Sequence, residues 1–229
     1  MRTYIASSLL LLFTTAALGC VQDNSDSPIV ILYNQQPGAD CTITSSDSGA
    51  AIVRGIIDSQ SPVGYLFTPV VKNYAQTSMF IDVDQRTAYL EGAVIKVELD
   101  GEELANYTTL FGAVVEPDEG TTGLLFELIP QPLVQDVAGR LGPDARATIQ
   151  TTVRLFGRLG GGAIETQDFS YAIDVCNGCL INDLGTCSLL NGDVSNLGGN
   201  CNPLQDAAAV DCCTENNVLV CPATTMNAP

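Results

Sequence analysis

The sequence contains no histidine and no tryptophan, and its only lysines are Lys72 and Lys96. Without histidine there is no Ser-His-Asp or Cys-His nucleophile, no histidine general base and no histidine metal ligand. Lys96 belongs to the outward side of its strand pattern, which leaves a Ser-Lys nucleophile little to stand on. No apolar run approaches the ~18 residues that a helix needs to cross a ~30 Å hydrocarbon core, so a multi-span helical membrane protein is excluded. Positive charge is also scarce. Nine Lys and Arg face 26 Asp and Glu for a net −17, and beyond Arg158 the chain carries acids and no base. Such a surface repels phosphate backbones, so nucleic acid is not expected as a partner.

What is present is 229 residues, 46% hydrophobic and 15% charged. That composition suits one globular domain with additions and argues against disorder. The first residues are Met1-Arg2-Thr3-Tyr4, followed by an apolar stretch centred on Leu9 to Phe13 and ending at Thr14-Thr15. A charged start and a short apolar run have the form of a secretory signal over residues 1–19.

The next residues, Ala17-Leu18-Gly19-Cys20, resemble the lipobox of bacterial lipoproteins, in which a small residue precedes the cysteine that receives the lipid. Gly19 and Cys20 match the pattern, whereas Ala17 stands where that family usually has leucine. Ala17-Leu18-Gly19 also satisfies the small-x-small rule of ordinary signal cleavage, so plain secretion is the alternative. The resemblance implies a palmitate-type lipid anchor at Cys20 as the membrane partner. Two or three acyl chains hold stably at about 0.8 kcal/mol per buried methylene. Residues 20–27 then read as a polar tether. Val21 replaces the aspartate that, in the family's sorting rule, retains a lipoprotein at the inner membrane, which points to the outer membrane.

Cysteine arithmetic bears on the same question. The nine are Cys20, Cys41, Cys176, Cys179, Cys187, Cys201, Cys212, Cys213 and Cys221. An odd count in an exported protein needs an explanation. With Cys20 acylated, eight remain for disulfides. Their connectivity is open, except that Cys41 has to reach forward across the body.

Residues 28–175 read as an all-β domain. Short apolar runs lie at Pro28 to Tyr33, Ala51 to Ile57 and Val63 to Val71, with Pro69 suggesting an edge or a bulge. Ala93, Ile95, Val97 and Leu99 alternate with Val94, Lys96, Glu98 and Asp100, and Asp100-Gly101 makes a hairpin turn into Glu102 to Val115. Ala147 to Phe156, a Gly160-Gly161-Gly162 turn, and Phe169 to Val175 form a second hairpin with one wet side. One helix is expected from Pro132, with Leu133, Val134, Val137 and Leu141 on a face and Gly142-Pro143 ending it. The pattern favours an immunoglobulin-like antiparallel β-sandwich, with a closed barrel as runner-up.

Residues 176–229 hold seven of the nine cysteines and few large apolar residues. Crosslinks must replace burial there, so an irregular, disulfide-stapled tail is expected. Its one helical signal is Asn202-Pro203 followed by Leu204 to Val210. Cys176-Asn177-Gly178-Cys179 follows a strand rather than opening a helix, which favours a structural disulfide over a redox or zinc site.

Other candidates are thin. Asp82 and Asp84 fall on one side of a strand pattern and lack the company a glycosidase or calcium site needs, so they read as surface charge with a carboxylate hydrolase as the remote option. Asp193, Asn196 and Asn200 sit in an oxygen-rich, glycine-rich loop and are the better calcium candidates against ordinary turn chemistry. No catalytic residue and no cofactor motif is assigned. The expectation is a non-enzymatic, lipid-anchored envelope protein with a structural, adhesion or binding role toward a protein or glycan. The alternative is an exported thiol-disulfide or metal-handling protein using Cys176 and Cys179. The architecture and the run Asp174-Val175-Cys176-Asn177-Gly178-Cys179-Leu180 are also similar to uncharacterised lipoproteins of myxobacteria, a likeness that brings no activity with it.

Overall fold

Alternating burial runs through the long strands and builds the main sheet. The computed structural model describes residues 27–38, 41–43, 50–77, 86–142, 145–190 and 194–223. Residues 1–26, with the expected signal, Cys20 and most of the expected tether, lie outside that set. In the main sheet β3 (Gly55–Asp58), β12 (Phe169–Cys176), β10 (Arg146–Leu159), β6 (Ala88–Leu99) and β7 (Glu102–Val115) lie side by side, and β11 (Gly162–Glu165) pairs with β10. Ile149, Thr151, Val153 and Leu155 are buried along β10, while Arg146, Thr148 and Gln150 face water. Asp100 (φ 52°) and Gly101 (φ 83°) close the β6–β7 hairpin, both in the left-handed region that such a two-residue turn requires. Between β10 and β6 the register shifts at Phe156/Gly157. A Cβ at Gly157 would run into the Tyr89 carbonyl, so only glycine lets the strands approach there.

A second sheet, β2 (Ala51–Ile52), β1 (Ile29–Gln35), β5 (Pro69–Asn73) and β8 (Gly120–Gly123), faces the first across one core. Ile29, Ile31 and Val71 from this sheet meet Ile95, Val97, Ile149 and Ile173 from the other. Each large side chain buried this way contributes about 1.5–3 kcal/mol. A separate two-stranded ribbon, β4 (Tyr65–Phe67) with β9 (Phe126–Ile129), adds Tyr65, Phe67, Leu128 and Ile129 to the same core. The helix α1 (Gln131–Gly139) begins with proline in its first turn and buries Val134, Val137 and Ala138. Over the described residues the protein is therefore all-β with one short helix, in sandwich-like sheets.

Two expected strands are each divided. Ala51 to Ile57 breaks at Val53-Arg54, so β2 joins one sheet and β3 the other. Val63 to Val71 breaks at Thr68, whose backbone N–H and hydroxyl both bond the Asn34 side chain. Pro69 is the first residue of β5, opposite Asn34, where its missing N–H is not called upon.

The cysteine-rich segment is more ordered than expected. It forms a three-stranded sheet of β13 (Ile181–Thr186), β14 (Val210–Glu215) and β15 (Val218–Val220), with a 3-10 turn at Cys187–Leu189. The helix expected over Leu204 to Val210 is absent. Leu204 lies in a turn, Gln205 bridges to Ile57, the next residues bend with Asp206 at φ 50°, and Val210 already belongs to β14. Tertiary hydrogen bonds outweigh the local helical signal here. The eight cysteines of the described residues pair as Cys41–Cys201, Cys176–Cys179, Cys187–Cys213 and Cys212–Cys221. Cys41 thus does reach forward across the body.

Candidate functional site

Residues 202–206 plug the cysteine-rich segment into the body. Gln205 imitates a neighbouring strand: its Oε1 accepts from the Leu66 N–H at 2.8 Å and its Nε2 donates to the Leu66 carbonyl at 2.7 Å. Asn202 accepts from Ser61 Oγ at 2.8 Å and donates to the Gly64 carbonyl at 3.2 Å. Asp206 accepts from the Ile56 N–H at 2.8 Å and from the Tyr65 hydroxyl at 2.7 Å. Tyr65 and Tyr171 hydroxyls lie 2.9 Å apart, and Asn34 donates to Tyr171 at 2.9 Å. Burial raises the Asp206 carboxyl above its ordinary range against the hydrogen bonds from Tyr65 and Ile56. Burial also pushes Tyr171 up to about 12 and Tyr65 well above the usual phenol value.

Leu204 of the plug accepts the Asp58 N–H at 3.0 Å, beside the end of β12, where Cys176 and Cys179 are bonded across a two-residue turn. Behind them lies Asp58, fully buried at the end of β3. Its Oδ1 accepts from the N–H groups of Gln60 at 3.1 Å and Gly178 at 3.2 Å, and its Oδ2 from Leu180 at 2.9 Å. Three donors compensate a carboxylate that burial alone would penalise heavily. Cys176 Sγ lies 3.5 Å from Asp58 Oδ2. Cys176 is buried and Cys179 is partly exposed. With the two sulfurs bonded to each other, the pair has no thiolate to offer a cation.

Beside this turn a cleft of about 340 Å³ opens between residues 59–62 and the outer side of α1. Gln60, Ser61, Gln131, Gln135 and Asn177 line it, and no lining side chain is charged. Asn177 is shared, since it sits between Cys176 and Cys179 and its Oδ1 accepts from Ser59 Oγ at 3.3 Å. In a chain of net charge −17 a neutral cleft of amides and hydroxyls is a local exception. Its chemistry suits a ligand with its own amide or hydroxyl groups.

Asp82, Asp84 and Asp193 lie outside the described residues. Asn196 Oδ1 accepts from the Gly198 N–H at 3.0 Å and its Nδ2 donates to the Ala209 carbonyl at 2.8 Å. Asn200 Nδ2 donates to the Pro37 carbonyl at 2.8 Å. The loop is gathered by Asp211, which accepts from Ser195 N–H at 2.7 Å, Asn196 N–H at 3.0 Å and Asn182 Nδ2 at 2.7 Å. Those bonds hold its carboxyl far below the ordinary range. Lys96 pairs with Glu98 at 2.8 Å, and Lys72 lies 3.3 Å from Glu119.

Asp58 carries no local sign in the sequence, because its partners Gly178 and Leu180 are 120 and 122 residues away. Gln205 likewise reaches over 139 residues to Leu66.

No protein-family model matches the chain, and no curated protein matches it. Among solved structures, a crystal structure of a protein from Archaeoglobus fulgidus is 12% identical. The likeness covers 50% of this chain and 91% of that one, with a TM-score of 0.33.

Proposed function

We propose that the protein is a lipid-anchored component of the bacterial cell envelope, held through Cys20 at the outer membrane and acting as a binding or adhesion domain for a protein or glycan. The observation that carries this reading is the pairing of the cysteines. All eight in the described residues are bonded to one another, and the ninth, Cys20, is the one in the lipobox-like Ala17-Leu18-Gly19-Cys20. Disulfides persist in oxidising compartments, so four of them in a chain with a signal-like start support export.

A binding role is supported by two surfaces. One is the uncharged cleft beside α1. The other is the outer face of the main sheet, where Tyr89, Val94, Leu110 and Val114 expose apolar area. Among the described residues no helix is long and apolar enough to cross a membrane. Radiolabelled palmitate tests the reading: it enters the wild-type protein and fails to enter Cys20→Ser. Equal labelling of both, or none of either, overturns it.

A further inference from the structure

We propose that Cys176–Cys179 is an exchange-active disulfide, which takes two electrons from the paired thiols of a cysteine-containing polypeptide docked in the neighbouring cleft. This goes beyond the anchoring reading and does not depend on it.

The four disulfides differ in what they constrain. Cys176 and Cys179 are 3 residues apart, against 9, 26 and 160 for the others. The stabilisation a crosslink gives through the unfolded chain falls with loop length, so this bond is the weakest staple of the set. The turn is also held without it. Cys176 is fixed in the β12 ladder opposite Asp58 and Arg146, and Gly178 and Leu180 are tied to the Asp58 carboxylate. Breaking the S–S bond therefore leaves the fold in place.

The surroundings set the order of attack. Exchange proceeds by thiolate attack on an accessible sulfur. Cys179 is partly exposed, whereas Cys176 is buried with its sulfur 3.5 Å from Asp58 Oδ2. The incoming thiolate bonds to Cys179 Sγ, and Cys176 Sγ leaves with the electron pair of the broken bond. Asp58 Oδ2 relays to it the proton that the incoming thiol lost to solvent. The partner's second thiolate then attacks its own sulfur in the mixed disulfide, and Cys179 departs and takes up the second proton. The partner has lost two electrons and two protons, and both cysteines of this chain are thiols. The cleft supplies the docking chemistry, because Gln60, Gln131, Gln135 and Asn177 present amides to the amides of an extended peptide.

The test uses the full-length oxidised protein. Dithiothreitol is added in steps, free thiols are alkylated, and the labelled cysteines are mapped by peptide mass. Cys176 and Cys179 are expected to label while the other three bonds stay closed and the circular dichroism is unchanged. Labelling of Cys187 and Cys213 first, or of this pair only on unfolding, overturns the proposal. A peptide bearing a cysteine pair is expected to be oxidised faster than dithiothreitol at equal thiol concentration; equal rates remove the cleft from it. In the reduced protein treated with a nitrobenzoate disulfide, Asp58→Asn should slow closure of the Cys179 mixed disulfide at least about tenfold more than it slows the first release. Equal slowing of both steps removes Asp58. Should that variant fail to fold, the labelling order in the wild type decides.

Discussion

Asp206 accepts the hydroxyl proton of Tyr65 at 2.7 Å, across 141 residues of sequence. That bond joins the cysteine-rich segment to the centre of the sandwich-like body, and the burial of the carboxyl there makes stability depend on pH in a specific sense. Burial holds the Asp206 carboxyl above its ordinary value in the folded state. A folded state that keeps its proton longer than the unfolded one loses stability as pH rises from the unfolded value, about 3.9, through the raised folded value. Asp206→Asn removes this dependence. Urea midpoints between pH 3.5 and 6.5 should fall with pH in the wild type relative to Asp206→Asn. A parallel pair of curves contradicts the account.

Asp211 should behave in the opposite sense. The N–H groups of Asn196 and Ser195 and the amide of Asn182 hold its carboxyl below the usual range. Its contribution is complete above the unfolded value and is lost as pH falls toward the depressed folded one. Amide exchange in residues 194–214 should therefore be faster in Asp211→Asn than in the wild type at pH 6. The difference should shrink as the pH is lowered below about 3.

Gln205→Ala leaves both the N–H and the carbonyl of Leu66 without their side-chain partner. Unsatisfied backbone groups in a partly buried site cost about 1–3 kcal/mol. A lower urea midpoint with an unchanged slope is the expected result. Gln205→Glu keeps the acceptor but loses the donor, so it should fall between the two.

The double variant Cys41→Ala, Cys201→Ala opens a closure of 160 residues. Chain entropy predicts a loss of up to about 5 kcal/mol, the largest of any of the four bonds. Thermal unfolding compared with the double variant of Cys212 and Cys221, whose closure spans 9 residues, gives the order. A larger loss in the shorter loop contradicts the entropic account.

The strands were legible wherever burial alternates. Ile149 to Leu155 and Tyr171 to Val175 show period two and lie as that pattern requires. The Asp100-Gly101 turn and the Pro132 helix start were equally plain, because each depends on residues adjacent in sequence. The plug was not. Asn202-Pro203-Leu204 carries the local signs of a helix start, yet Asn202, Gln205 and Asp206 spend their side chains on Ser61, Leu66 and Tyr65. Asp58 was missed for the same reason, since two of the three N–H groups that compensate its carboxylate, those of Gly178 and Leu180, come from 120 and 122 residues away. Which cysteines pair was likewise closed to the sequence beyond the reach required of Cys41.

The central claim, an exported chain with Cys20 acylated and the other cysteines oxidised, is tested most directly by intact mass of the protein extracted from its native membrane without reductant. The predicted mass lacks residues 1–19, includes acyl groups that map to Cys20, and is eight hydrogens lighter than the all-thiol chain, two for each of the four disulfides. An unmodified Cys20 together with free thiols at the other eight positions would contradict it.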